Sequence, residues 1–239
     1  MGVEVPLLHT YVDGLDKILG GGIPCGSTIL VAGTPGTMKT SLILWMMNEN
    51  AKRHGAKGLY VSLEQDAESL RTGAARMGMT ELHESHVYVL DLGQLRRGLF
   101  RAEGAKDWIT ILLEIVKEAV TSSGYQTLAL DSLEALYALA ELKTPRREMF
   151  HLLGALKELG LTTFVIAETP FGSSRLTQWG EDFLCDGILN LKTVEIGETE
   201  SQLRLRCVKM RWMNHDRSAL ALNHDGQKFF VSHIISRKK

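Results

Sequence analysis

The chain has little of what would staple it, carry it across a bilayer or steer it to a polyanion. Its 239 residues include three cysteines, Cys25, Cys185 and Cys207, scattered and with no C-x-x-C pair. That number and spacing give no disulfide framework; the plain reading is reduced thiols in a cytoplasmic protein. No apolar run is long enough to span a membrane, so no membrane insertion is expected. Met1 to Leu8 has neither a basic lead nor an apolar stretch, and no signal peptide is expected either. Lysine and arginine number 27 against 28 aspartates and glutamates, a net charge of −1. There is no global positive field to bind nucleic acid, and room only for a local basic patch. No linker or internal repeat interrupts the chain, and its 44% hydrophobic content is that of an ordinary globular core. Residues 1–239 are therefore expected to form a single domain.

What is present is organised around Gly33-Thr34-Pro35-Gly36-Thr37-Met38-Lys39-Thr40. An apolar run, Thr28 to Ala32, leads in, and a helical segment, Ser41 to Lys52, leads out. A strand, a glycine-rich turn and a helix opening with Lys-Thr predict a phosphate-binding loop, the Walker A pattern. Backbone N–H groups of the turn and of the helix N-terminus face anionic oxygens. Thr34, Pro35, Gly36, Thr37, Met38, Lys39, Thr40 and Ser41 are thus the candidate nucleotide-binding residues. Lys39 adds a point charge on the β- and γ-phosphates, and the Thr40 hydroxyl can complete a Mg²⁺ shell. The pattern wants glycine immediately before the lysine, where the backbone approaches phosphate and φ is often positive. Met38 stands there instead. Either its side chain turns away and the backbone keeps the loop's shape, or the grip on phosphate weakens.

Around the loop, apolar runs alternate with amphipathic segments. Gly58 to Leu63, His86 to Asp91, Thr127 to Asp131 and Thr163 to Ala167 read as strands; Ala67 to Met77, Trp108 to Thr121 and a segment beginning at Thr144-Pro145 read as helices. That rhythm predicts an α/β fold, a mostly parallel central sheet with helices on both faces. From Asp186 the rhythm changes to short strands, Gly187 to Thr193, Gln202 to Met210, Ala219 to Leu222 and Lys228 to Val231, separated by turns at Gly197 and Asp225-Gly226. These predict an antiparallel extension of the same sheet. Between the two parts, Gly93 to Asp107 carries Arg96, Arg97, Arg101 and Lys106. It is either a contact for a polyanion or partner, or a solvated connection.

Three acids close predicted strands, at the end of a parallel sheet where ligands bind. Asp131 follows four apolar residues and has the place of a Walker B aspartate, holding Mg²⁺ with Thr40. Glu64 ends the neighbouring strand, where a carboxylate can orient or deprotonate an attacking water. Glu168 ends the strand after Walker B and could sense the γ-phosphate. His83-Glu84-Ser85-His86 has metal-like spacing but no second cluster, and reads as structural or exposed. Trp212 and Met213, beside Arg211, read as core or interface packing.

The chain resembles a single RecA-type P-loop ATPase domain of the KaiC-like family. The residues that carry the resemblance run nearly end to end: Asp13-Gly14-Leu15-Asp16, Gly20-Gly21-Gly22-Ile23-Pro24 and Gly26, then the loop, then Tyr60-Val61-Ser62-Leu63-Glu64-Gln65, Leu130-Asp131-Ser132-Leu133, Asp186-Gly187-Ile188, Lys209-Met210-Arg211 and His215. The resemblance implies ATP and Mg²⁺, a catalytic Glu64, and a homo-oligomeric, hexameric ring with nucleotide at the subunit interfaces. It further implies that Lys209 and Arg211 reach a neighbour's γ-phosphate. Two residues depart from the pattern: Met38 replaces the loop glycine, and Gln65 replaces the second glutamate of a Glu-Glu pair. Both changes are expected to slow hydrolysis without abolishing binding. The functional expectation is a slow ATPase acting as an oligomeric regulator or assembly factor, with a protein partner. The alternatives are a nucleotide-binding regulator with negligible hydrolysis and, less favoured, a DNA recombinase paralogue. For the last, Phe171-Gly172-Ser173-Ser174-Arg175 is the only short DNA-loop candidate.

Overall fold

The computed structural model describes residues 5–79, 82, 86–93, 108–140 and 142–234. The basic segment 94–106 and His83 to Ser85 fall outside these residues. The chain opens with a small antiparallel pair, β1 (Leu7–Leu8) and β2 (Ile23–Pro24), bracketing a one-turn helix α1 (Leu15–Ile18). Then comes β3 (Thr28–Gly33), every residue of which is buried. Ile29 and Val31 point into one core cluster, and Leu30 and Ala32 into the other. A strand covered on both faces has no polar side to show, which is why it reads as an unbroken apolar run.

Alternation follows as the sequence predicts: α2 (Lys39–His54), β4 (Gly58–Ser62), α3 (Ala67–Arg76), β5 (Val87–Asp91), α4 (Trp108–Ser123) and β6 (Thr127–Asp131). After β6 a short helix not expected from the sequence, α5 (Leu133–Leu139), precedes α6 (Pro145–Glu158) and β7 (Thr162–Glu168). Thr144 precedes Pro145 as expected, yet its side chain does not cap α6; instead its N–H and hydroxyl both donate to Glu148 Oε1, at 2.6 and 3.1 Å. A four-residue helix, α7 (Glu181–Leu184), leads to β8 (Gly187–Ile196), β9 (Glu200–Met210), β10 (Ala219–His224) and β11 (Phe229–His233).

The large sheet has nine strands in the order β11-β10-β9-β8-β3-β7-β6-β4-β5. From β8 to β5 neighbours run parallel, while β9, β10 and β11 continue antiparallel from β8. α2 and α3 pack on one face, α4, α5 and α6 on the other. β3 lies inside the sheet, with the chain crossing two strands to reach β4. The C-terminal ends of β3, β7, β6 and β4 therefore share one rim, with the crossover opening a crevice above them. Ser62 pairs with Asp131, and Leu130 with Val165, so Asp131 stands opposite Ile166. Glu168 closes β7 two residues past that row, about 6–7 Å further along the strand. Glu64, expected to end β4, instead lies in the bend after it, because β4 stops at Ser62.

Candidate nucleotide site

The loop leaves β3 at Gly33 and enters α2 at Lys39. Gly33 is needed for space: a Cβ there would meet Leu191 O at 2.6 Å and Thr37 Oγ1 at 2.7 Å. Gly36 is needed for conformation, with φ +79° and open surroundings. The Thr37 hydroxyl donates to Thr34 O at 2.7 Å and closes the turn on itself. Met38 resolves the question its sequence raises. It takes φ +61° and ψ +25°, the left-handed conformation of the glycine it replaces, and its side chain packs against the α2-side core. The backbone keeps the loop's shape, at a cost of about 1–2 kcal/mol for a Cβ in that region.

Lys39 is buried, and its ammonium donates to Gly33 O at 2.9 Å and Thr34 O at 3.1 Å. Burial pushes its pKa down, opposed by the carboxylates of Glu168, Asp131, Glu134 and Glu64, in that order. Asp131 Oδ2 accepts from the Thr40 hydroxyl at 2.8 Å and from the Tyr60 hydroxyl at 2.5 Å. Burial raises the Asp131 carboxyl above its ordinary range even against those two donors. Tyr60 is fully buried, and burial and the Asp131 charge hold its phenol well above its ordinary value. Glu64 is exposed at the rim and accepts from the Ser132 hydroxyl, which also caps α5 by accepting from Ala135 N–H. Gln65 is exposed, its backbone tied to Ser62 Oγ.

Thr40 and Asp131 offer hard oxygen donors side by side, which suits Mg²⁺, a cation that keeps several waters and takes few protein ligands. Among the described residues no group of three or more His, Cys, Asp or Glu side chains is arranged to hold a metal. One carboxylate and one hydroxyl, with phosphate oxygens, is the set this site can give.

Lys209 and Arg211 lie elsewhere. Lys209 pairs with Ile188, and Arg211 N–H donates to Asp186 O, beside the start of β3 rather than its loop end. A bulge at Val208 sets their direction: Leu189 pairs with Cys207 and Ile188 with Lys209, so Val208 is the extra residue. Leu205, Cys207 and Met210 consequently share the α2-side core. Lys209 and Arg211 turn to the other face, where Lys209 Nζ donates to the carbonyls of Asp182 and Cys185 at 3.1 and 2.6 Å. Arg211 reaches Phe183 O at 3.0 Å and Asp186 Oδ1 at 3.2 Å. Burial lowers the Lys209 pKa, and Arg211 beside it adds to the effect.

A family model described as "ATPase: KaiC" matches residues 8–225. The chain belongs to the KaiC ATPase family. Among relatives of the KaiC family, the circadian clock oscillator protein KaiC of Parasynechococcus marenigrum is 27% identical over 223 residues, 89% of this chain and 42% of that protein. KaiC of Rippkaea orientalis is 28% identical over 230 residues, 93% of this chain and 44% of the relative. The chain thus spans less than half the length of these KaiC proteins. A crystal structure of a KaiC-like protein from Pyrococcus horikoshii superposes with a TM-score of 0.82 at 24% identity, covering 96% of this chain and all of that one, and shares its fold.

For a KaiC-family domain, three site residues escape a reading of the sequence alone. Tyr60 sits inside an apolar run, Ser132 looks like a helix cap, and Glu134 looks like a surface acid in a first turn. Only the sheet register, which sets β4 against β6, brings Tyr60 to Asp131 and Ser132 to Glu64. Of the two kinds of packing expected for Trp212 and Met213, the core is taken by Met213 alone, while Trp212 is 99% exposed, which leaves it the interface role.

Proposed function

We propose that the chain binds ATP with Mg²⁺ at Thr34 to Ser41, Asp131 and Glu64, hydrolyses it slowly, and acts as a cytoplasmic homohexameric ring that regulates or assembles a protein partner. The observation that carries this is the contact of the Thr40 hydroxyl with Asp131, directly beside the buried Lys39. Loop N–H groups and the α2 N-terminus hold phosphate oxygens. Lys39, now bound to its own loop carbonyls, exchanges them for the β- and γ-phosphates. Thr40 and Asp131 would hold Mg²⁺, which would supply positive charge against the charge that develops on phosphoryl transfer. Glu64, aimed by Ser132, takes the proton of the attacking water. Lys209 and Arg211 lie too far down β9 to serve the loop of their own chain, which supports their acting on a neighbour's γ-phosphate.

A regulator with negligible turnover is the second reading. It is favoured by Gln65, which brings no charge to the rim. A recombinase role has only Arg175 as a cation in its loop candidate. The clock function in the relatives' names is not carried over to a chain spanning under half of them.

Complementation tests the reading. Glu64→Gln is expected to keep ATP binding and lose turnover by roughly 10²–10⁴-fold. Mixed with an inactive Lys209→Ala/Arg211→Ala double variant, it should regain activity, because some interfaces join an intact Glu64 to an intact pair of cations. No recovery in oligomers shown by native mass spectrometry to be mixed removes Lys209 and Arg211 from the site.

A further inference from the structure

Asp131 and Glu64 account for a metal-binding and a proton-accepting carboxylate, yet two more acids lie by the root of the loop, where Lys39 Nζ and the Thr169 N–H both donate to Gly33 O. Glu168 is the one whose charge acts on Lys39 most strongly, and Glu134 also acts on it. Glu134 lies in the first turn of α5, three residues after Asp131, and its Oε2 accepts from the Glu168 N–H at 2.8 Å. That bond fixes the end of β7, whose next residue, Thr169, donates its N–H to Gly33 O at the root of the loop. Glu134 is within electrostatic reach of Lys39 of α2, Glu168 of β7, Glu181 of α7 and Tyr137 of its own helix. The Tyr137 hydroxyl donates to the buried Glu181. Burial raises the Glu134 carboxyl, and the backbone N–H groups of Glu168 and Glu134 oppose that shift.

ATP and ADP share every contact with the loop up to the β-phosphate. They differ by the γ-phosphate, which adds negative charge at the end of the site where Lys39 meets these acids. A carboxylate there repels ATP more than ADP. We infer that Glu134, directly and through the Glu168 strand end it fixes, is a specificity-setting residue that holds down the site's preference for ATP over ADP. The site so built retains its product and cycles slowly. The inference rests on the nucleotide-binding reading above.

Calorimetric affinities for Mg²⁺ with ADP and with the non-hydrolysable analogue AMP-PNP test it. Glu134→Gln keeps an acceptor for the Glu168 N–H and removes the charge. It should raise the AMP-PNP to ADP affinity ratio about tenfold, the order of one charge–charge interaction at an effective dielectric of about 20, with ADP affinity within about twofold. Glu134→Ala also orphans the Glu168 N–H, and should weaken both nucleotides. Glu168→Gln, the second variant should Glu134→Gln not fold, should shift the ratio in the same direction. An unchanged ratio in the glutamine variants, with binding retained, overturns the inference. Wild-type protein that binds neither nucleotide overturns the nucleotide reading instead.

Discussion

A methionine at φ +61° in the loop is a local cost accepted without loss of the loop's shape. Because the backbone already stands where glycine would, Met38→Gly should change nucleotide affinity by less than about threefold in a fluorescence titration. It relieves strain of about 1 kcal/mol and gives up a similar amount of side-chain packing. Met38→Ile, β-branched in the left-handed region, should lower stability by about 1–2 kcal/mol in thermal melts. Asp131 carries the opposite kind of tension. Its folded pKa is raised, so the folded state binds its proton more tightly than the unfolded one, and stability falls as pH rises through that window. At neutral pH the charged form is a liability awaiting a cation. Asp131→Asn should therefore raise the melting temperature of nucleotide-free protein, by the equivalent of about 1.4 kcal/mol for each tenfold of proton affinity that folding adds to the native carboxylate. It should also abolish the added stabilisation by Mg²⁺ with ATP.

Among the elements, the bulge in β9 decides the most. Strict alternation along Leu205, Cys207 and Lys209 would carry the lysine into the α2-side core; the extra Val208 sends Met210 there instead. Deleting Val208 takes out the bulge yet keeps Cys207 inward, Lys209 outward and Met210 inward. That variant should stay soluble and melt cooperatively, within about 2 kcal/mol of wild type. Deleting Arg206 from the regular stretch instead puts Leu205 and Cys207 on opposite faces, a one-residue slip. Loss of soluble, cooperatively melting protein is expected there, and equal outcomes for the two deletions refute this account of the register. Strand–helix alternation, the loop and the strand-end acids Asp131 and Glu168 were legible because each is a local pattern with its own period or punctuation. α5 was not, because its seven residues make only about two turns, too few for a helical period to stand out. α7 has only four residues, too few for any period. The conformation of Met38 and the pairing of Tyr60 with Asp131 depend on backbone strain and on sheet register, and neither is written in neighbouring residues. The same holds for Glu134, whose partner lies 34 positions away.

At the scale of the molecule, the far end of the sheet is tied together by one side chain. Asp186 accepts from Lys157 of α6 through both oxygens at 2.9 Å, from the Thr28 N–H at the start of β3 at 3.1 Å, and from Arg211 at 3.2 Å. Partial burial alone would raise its pKa, but Lys157, the Thr28 N–H and Arg211 together hold it below the usual carboxylate range. The sign is that of acid denaturation: the stabilisation is whole above the unfolded pKa of about 4 and is lost as pH falls through the folded value. Asp186→Asn should cost about 1–3 kcal/mol at pH 7 and flatten the acid limb of a stability-against-pH curve. An unaltered acid limb would mean that other carboxylates govern it.

The same knot makes Arg211 a side chain with a prior engagement. To serve a neighbour it must release Phe183 O and Asp186, leaving that carboxylate to Lys157 and the foot of β3. In the proposed ring, recruitment of one subunit by the next would have to be won against a contact inside the recruited chain, and would slacken the anchor of the strand that carries that chain's own phosphate loop. A ring so built would pass word of each occupied seam to the adjacent one through the root of β3, with Asp186 as the latch.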